Sequence, residues 1–289
     1  MTREDGSPYG PHHAGVLGSP IGHSLSPVLH RAAYAELGLT EWRYESHEVD
    51  EAALPGFFKS LPDEAGDARW AGFSLTMPLK RAVIPLLDEI SDTAASVEAV
   101  NTVTFGQGLY TKGDNTDIPG MVAALAERGV DTVESAAVLG AGATASSALA
   151  ALATVCTDPV VAYVRSDARA AEMRGWGERL GVDVRTEPWA RAVEAFDARL
   201  VIATTPAGAT DELAERVPAR PGTLFDVLYE PWPTRLAAAW SARDGHVVSG
   251  LDLLVHQAVL QVRLMTGLPE APLAAMRAAG EEALAARRR

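Results

Sequence analysis

From residue 135 onward the chain alternates short apolar runs with longer mixed segments, and this rhythm limits the fold more than any other feature. The runs cover residues 135–139, 160–164, 182–185, 200–203, 224–227 and 247–248. Runs apolar from end to end, such as 160–164 and 200–203, rather than at every second residue, are strands buried on both faces. With helical segments between most of them, they predict a parallel sheet covered on both sides. After the first run comes Gly140-Ala141-Gly142-Ala143-Thr144-Ala145, then a helix of small residues. That is the setting a G-x-G-x-x-A dinucleotide turn requires. Gly140 permits the tight turn, Gly142 lets the backbone approach a pyrophosphate, and Ala145 keeps helix and strand close. The helix N-terminus then faces the phosphates.

The strand after that turn selects the cofactor. It ends Ala162-Tyr163-Val164-Arg165-Ser166, where an NAD enzyme usually carries an acid for the ribose hydroxyls. Arg165 there can clamp an adenosine 2′-phosphate, with Ser166 and Arg169 assisting. The expected cofactor is NADP rather than NAD, although Asp167 lies nearby.

The first half of the chain has a different pattern. Residues 15–18 read as a buried strand, 19–24 as a loop, and a helix starts at Pro27 with Ser26 as its N-cap. Residues 42–49 and 70–75 read as strands, 51–61 as a helix, and 79–89 as a helix bent at Pro85. Residues 99–105 and 109–110 form a hairpin through Gly106-Gln107-Gly108. A helix over 118–128 follows, and helices over 253–266 and 273–287 close the chain. The expected organisation is an α/β substrate domain over 1–117, a Rossmann-type doubly wound parallel-sheet domain over 118–249, and helices over 250–289 returning to the first domain. The active site is expected in the cleft between the domains.

Bulk properties narrow the function. A formal charge of −13 over 289 residues argues against a nucleic-acid partner, which would want a basic face. The single cysteine, Cys156, permits no intrachain disulfide and fits a reducing, cytoplasmic setting. Residues 1–13 lack an apolar signal-peptide core and read as a disordered lead-in. Residues 135–157 are uncharged and long enough to span a bilayer, but their glycines and hydroxyl residues fit a strand, turn and helix better, so no membrane partner is expected. No His, Cys and carboxylate cluster has ligand spacing, and no metal is expected.

Two segments ahead of the glycine turn carry chemistry. Phe73-Ser74-Leu75-Thr76-Met77-Pro78-Leu79-Lys80 and Gly113-Asp114-Asn115-Thr116-Asp117 place Lys80 and Asp117 beside small polar residues and turn formers. A Lys and an Asp ahead of a dinucleotide fold point to proton transfer coupled to hydride transfer.

These motifs, together with Ser19-Pro20-Ile21-Gly22-His23-Ser24-Leu25-Ser26-Pro27, Ala99-Val100-Asn101-Thr102, Asp226-Val227-Leu228-Tyr229-Glu230-Pro231 and Gly250-Leu251-Asp252-Leu253-Leu254-Val255-His256-Gln257, resemble those of the shikimate dehydrogenase family. The resemblance runs from about Val16 to Gly267, in order along the chain. It implies NADPH-dependent reduction of 3-dehydroshikimate to shikimate in aromatic amino-acid synthesis. It also implies that Ser24 and Ser26 hold the substrate carboxylate, that Thr76, Asn101, Asp117 and Gln257 bind ring hydroxyls, and that Tyr229 closes one wall. By the same resemblance Gly250 approaches the nicotinamide, Gly140, Ala141, Gly142, Ala143, Thr204 and Thr205 line the cofactor site, and Lys80 and Asp117 form the catalytic pair. Which of the two moves the proton stays open, and a homodimer is the assembly considered.

The chain departs from the family pattern at Ser74 (more often Asn), Ala143 (Gly), Ser147 (a basic residue), Val164 (Asn), Ala203 (Asn or Ser), Ile118 (Gly) and Leu253 (Met). Those on the cofactor side leave strictness for NADP open. The alternatives are a quinate/shikimate or aminoshikimate-pathway dehydrogenase using NAD or NADP, and a non-catalytic nucleotide-binding relative, which would have lost Lys80 or Asp117.

Overall fold

The computed structural model describes residues 10–61 and 69–288. Two compact units emerge, one made of residues 1–116 and 255–289, the other of residues 117–254. In chain order the first unit contains β1 (His12–Gly18), α1 (Ser26–Glu36), β2 (Trp42–Glu48), α2 (Leu54–Ser60), β3 (Arg69–Leu75), α3 (Leu79–Ala82), β4 (Glu89–Ile90), α4 (Asp92–Val97), β5 (Thr102–Phe105) and β6 (Thr111–Asp114). The second contains α5 (Asp117–Glu127), β7 (Ala136–Leu139), α6 (Ala143–Val155), β8 (Val160–Val164), α7 (Asp167–Leu180), β9 (Val184–Pro188), β10 (Leu200–Ala203), β11 (Thr223–Asp226), α8 (Arg235–Ser241) and β12 (His246–Ser249). The last helices are α9 (Gly250–Thr266) and α10 (Leu273–Arg287).

The second unit has the strand order β12-β11-β10-β7-β8-β9, with every pair parallel. Its apolar strands are buried on both sides, as their composition predicts. Ala136, Val138, Ala162, Leu200 and Ile202 pack with α5, α6 and α7. Their sequence neighbours Ala137, Leu139, Tyr163, Val201 and Ala203 pack with Phe196, Leu236 and Trp240 on the opposite face. Neighbouring strand residues point to opposite faces, so one run of apolar residues supplies two cores. Residues 135–157, the stretch long enough for a bilayer, form β7, the glycine turn and α6, and among the described residues no helix is long and apolar enough to cross a membrane.

The first unit has a mixed sheet, β2-β1-β3-β5-β6-β4. β1 pairs in parallel with β2 and β3, and β5 runs antiparallel to both β3 and β6. α10 packs on α1, and Arg287 donates to the carbonyl of His23 at 2.9 Å.

Several local readings shift. Most of the expected N-terminal lead-in falls outside the described residues, but His12 and His13 extend β1, and His12 stacks on Trp42 at 4.5 Å. Ser26 is the first residue of α1 and not its cap; Leu25 occupies the cap position and no side chain caps it. The expected 79–89 helix breaks after Ala82 into a short 3-10 turn over Ile84–Leu86, because Pro85 cannot donate to the helical ladder. In the hairpin, Gly108 and Leu109 adopt left-handed backbone (φ 64 and 58), so the returning strand begins at Thr111. Gly181 ends α7 in the left-handed conformation (φ 69), and β9 starts two residues later than its apolar onset.

His30 lies fully buried on α1, its ring stacked on Tyr44 at 3.9 Å and its Nδ1 2.9 Å from the carbonyl of Ser26. Its Nε2 finds no hydrogen-bond partner among the described residues. Burial holds its pKa down at about 4, against a smaller opposing effect of the Ser26 carbonyl. Burial also lowers that of His47. An unfolded chain binds a proton near pH 6.5 that the folded chain at His30 refuses until about pH 4. Stability therefore falls as pH drops through that window, by roughly 3 kcal/mol for this group. Thermal melts of the wild type are expected to show that slope, and a His30→Phe variant to lose most of it; an unchanged slope in the variant would refute the assignment.

Candidate functional site

The glycine turn joins β7 to α6. Gly140 has φ +115, a conformation that excludes other residues, and a Cβ there would lie 2.6 Å from Thr204 Oγ1. The Thr204 hydroxyl and backbone N–H both donate to the carbonyl of Leu139, at 3.0 and 2.9 Å. The segment with Thr204 and Thr205 is thus held against the turn. A Cβ on Gly142 would meet nothing within 4 Å, which is the room a pyrophosphate needs beside the backbone. Gly142 also occupies the N-cap of α6 with no side-chain hydrogen bond, so no side chain competes with an anion at this helix start. Ala145 is fully buried against the sheet. The residues present therefore fit a dinucleotide.

The strand that follows supplies cations. Arg165 is exposed at the end of β8. Ser166, expected to assist with phosphate, caps α7 by accepting from the backbone N–H of Arg169 at 3.3 Å. The Arg169 guanidinium ion-pairs with Glu172 at 2.7 Å and reaches the carbonyl of Ala141 at 3.4 Å.

The polar residues of the first unit converge on Asn101, which is buried. Its Oδ1 accepts from the Thr116 backbone N–H at 2.8 Å and from the Thr102 hydroxyl at 2.9 Å. Its Nδ2 donates to Thr116 Oγ1 at 3.0 Å and to Gln257 Oε1 at 3.4 Å. The turn before Asp117 is held by its own side chains. Asp114 accepts from Ser91 and from the Asn115 N–H, and Asn115 Nδ2 donates to the carbonyl of Ala99. Asp117 then opens α5, buried, in the second unit.

Ser24 Oγ accepts from the Ser26 backbone N–H at 3.3 Å, which leaves its own O–H to donate outward. Thr76 donates its N–H to the carbonyl of Leu17, and its carbonyl accepts from the N–H of Leu79. Lys80 is half-buried on α3, with its backbone carbonyl accepting from Val100 at 2.8 Å. Asn101, Thr116 and Gln257 are thereby brought into one cluster, Ser24 and Ser26 into another, and Gly140, Thr204 and Thr205 into a third.

Tyr229 follows β11 and is half-buried. The start of its loop is fixed by the buried Asp226, which accepts from Thr234 at 2.7 Å and from the N–H of Leu228 at 3.2 Å. Burial raises the pKa of Asp226, partly offset by these bonds. Asp252 accepts from Ser249 and ion-pairs with Arg128 at 2.9 Å. Among the described residues no group of three or more potential ligands could hold a metal. Sequence reasoning missed the roles of Tyr44, Thr102, Thr116 and Gln261. The one available signal was Gln261 at four residues from Gln257, on the same helix face.

A dinucleotide-binding parallel sheet with a glycine turn and nearby arginines, in one chain with a unit rich in buried hydrogen-bonding side chains, defines a nicotinamide-dependent oxidoreductase of a small polar substrate. The family description "Shikimate dehydrogenase substrate binding domain" matches residues 16–103, and "Shikimate 5'-dehydrogenase C-terminal domain" matches residues 250–279. A shikimate dehydrogenase (NADP(+)) of Oleidesulfovibrio alaskensis is 36% identical over 283 residues, 94% of this chain and 95% of that one. The crystal structure of Mycobacterium tuberculosis shikimate dehydrogenase superposes with a TM-score of 0.83 at 40% identity, covering 94% of this chain and 100% of that one. The Thermus thermophilus shikimate 5-dehydrogenase in complex with NADP(H) and shikimate gives 0.80 at 34% identity, covering 94% and 99%. The chain belongs to the shikimate dehydrogenase family, NADP-dependent enzymes that act on a CH–OH group.

Gly250 opens α9 with its N–H bonded to the carbonyl of Leu228 at 3.1 Å, and a Cβ there would fall 2.1 Å from the carbonyl oxygen of Val227. Backbone, not a flexible side chain, blocks that space. Gly250→Ala is expected to lower unfolding stability by about 1–3 kcal/mol, read by urea denaturation; a variant as stable as wild type would contradict the close packing.

Proposed function

We propose that this chain catalyses the reversible, NADPH-dependent reduction of 3-dehydroshikimate to shikimate on the route to aromatic amino acids, in the cytoplasm and as a homodimer. The observation that carries the reading is the coexistence of the intact Lys80 and Asp117 segments with a glycine turn open to a dinucleotide. Membership of the family supports the reaction class and the cofactor. The single Cys156, which is unpaired, fits the compartment.

Bound NADPH supplies a hydride to the substrate's carbonyl carbon. The residues supply the rest. Ser24 and Ser26 hold the carboxylate through their hydroxyls, aided by the N-terminus of α1. Thr76, Asn101 and Gln257 fix the ring through its hydroxyls. As negative charge gathers on the carbonyl oxygen, the Lys80 ammonium stabilises it and a proton reaches that oxygen. Asp117 binds the adjacent hydroxyl. In the reverse direction the same pair receives the proton. Tyr229 and Gly250 line the nicotinamide side, and Arg165 and Arg169 hold the 2′-phosphate, with Arg169 exchanging part of its pairing with Glu172.

Purified protein is to be assayed by absorbance of the reduced cofactor with shikimate or quinate, each with NADP or NAD. Fast turnover with shikimate and NADP is the expected result. Efficient turnover with quinate and NAD would move the enzyme to the catabolic branch. Lys80→Ala is expected to lower kcat by about 10²–10⁴-fold while leaving the fold intact; near wild-type turnover would refute its role. Arg165→Gln is expected to raise the KM for NADP about tenfold with little change for NAD, and an equal change for both cofactors would remove the phosphate contact from the assignment.

A further inference from the structure

A buried file of side chains crosses the first unit beneath the polar cluster at Asn101. Tyr44 O–H donates to Ser74 Oγ at 2.6 Å, and Ser74 O–H donates to Gln261 Oε1 at 2.8 Å. Gln261 Nε2 donates to Thr102 Oγ1 at 3.0 Å and to the carbonyl of Asn101 at 3.1 Å. Thr102 O–H then donates to Asn101 Oδ1 at 2.9 Å. Tyr44, Ser74, Thr102 and Gln261 are all buried, so each must satisfy its polar atoms inside the file.

The file has one direction. Each O–H or N–H donates to the next oxygen, from Tyr44 to Asn101, and such same-sense chains reinforce one another. Tyr44 starts it as a fixed donor, because burial keeps the phenol protonated and His30 stacks on its ring at 3.9 Å. The far end decides which way the Asn101 amide faces. With Oδ1 committed to Thr102 and the N–H of Thr116, the Nδ2 group faces Thr116 Oγ1 and Gln257. Gln261 joins the two halves, since its Oε1 accepts from Ser74 and its Nε2 supplies Thr102. The hydroxyl of Ser74 both accepts from Tyr44 and donates to Gln261.

We propose that Gln261, held by Ser74 and Tyr44 and acting through Thr102, is a positioning residue for substrate: it fixes which way the Asn101 amide faces, with Nδ2 toward Thr116 and Gln257, and so sets the ring-binding Gln257 in place. The proposal rests on the substrate reading given above for Asn101 and Gln257. None of the three need touch the substrate. The consequence is a loss of ring binding when the file is cut, without loss of cofactor binding.

Steady-state kinetics with shikimate and NADP test this on wild type, Gln261→Met, Tyr44→Phe and the double variant. The methionine retains length but not the amide. Gln261→Met is expected to raise the KM for shikimate about tenfold, with kcat and the KM for NADP changed by no more than about twofold. Because one file is cut in both places, the double variant is expected to resemble the worse single variant rather than the product of the two. A shikimate KM within about twofold of wild type, a matching rise in the KM for NADP, or effects that multiply would overturn the positioning role. If wild type itself fails to turn over shikimate, the substrate reading falls, and this proposal with it. Should Gln261→Met not fold, Ser74→Ala cuts the same file at a smaller side chain, with the same expected and overturning outcomes.

Discussion

The obligation to pair every buried polar group organises the first unit, and Asn101 is where the obligation is densest. Its backbone N–H donates to the carbonyl of Asp114, and its own carbonyl accepts from Leu75 and from Gln261. Its side chain engages Thr102, Thr116 and Gln257. One residue therefore joins β3, the end of β6 and α9. An amide buried without partners costs about 1–3 kcal/mol, so these elements hold their places together or not at all. The polar cluster assigned to the substrate is in this sense also the clasp of the unit that carries it.

The second unit meets a different requirement. Its sheet is apolar on both faces, and the strands themselves ask for little pairing beyond the backbone. Specific polar contacts gather at the C-terminal ends of the strands. There Thr204 leans on Leu139, Asp226 gathers Thr234 and Leu228, and Asp252 gathers Ser249 and Arg128. These ends are where ligands bind in open parallel sheets. A rigid, apolar core thus presents a small number of loops whose positions are set by hydrogen bonds at their roots.

Legibility in the sequence followed the same division. Residues 160–164 and 200–203 could be read to the residue because fully buried strands are apolar from end to end. The glycine turn was legible because Gly140 and Gly142 leave no other chemistry. The helix starts were less so: a serine before proline looks like a cap, yet Ser26 lies inside α1. The 79–89 segment carried its break openly in Pro85, but not the place where the helix would stop. The candidate residues of the site were named through family likeness. The file through Ser74 and Gln261 was not, because residues 187 positions apart share no local pattern that marks them as partners.

The inner surface of α6 carries a mechanical consequence. Ala145, Ala148 and Ala151 are fully buried and pack in one core with Val138 and Ile202 of the sheet, so small side chains set how near the helix lies to it. Close-packed interiors of this kind leave little slack to absorb a larger group. Added bulk several turns from the glycine turn would lever the whole rod outward, and the N–H groups at its mouth would move with it. The tolerance of the phosphate seat is therefore set by alanines that never meet the cofactor, and the seat can be detuned from a distance without altering any group that lines it.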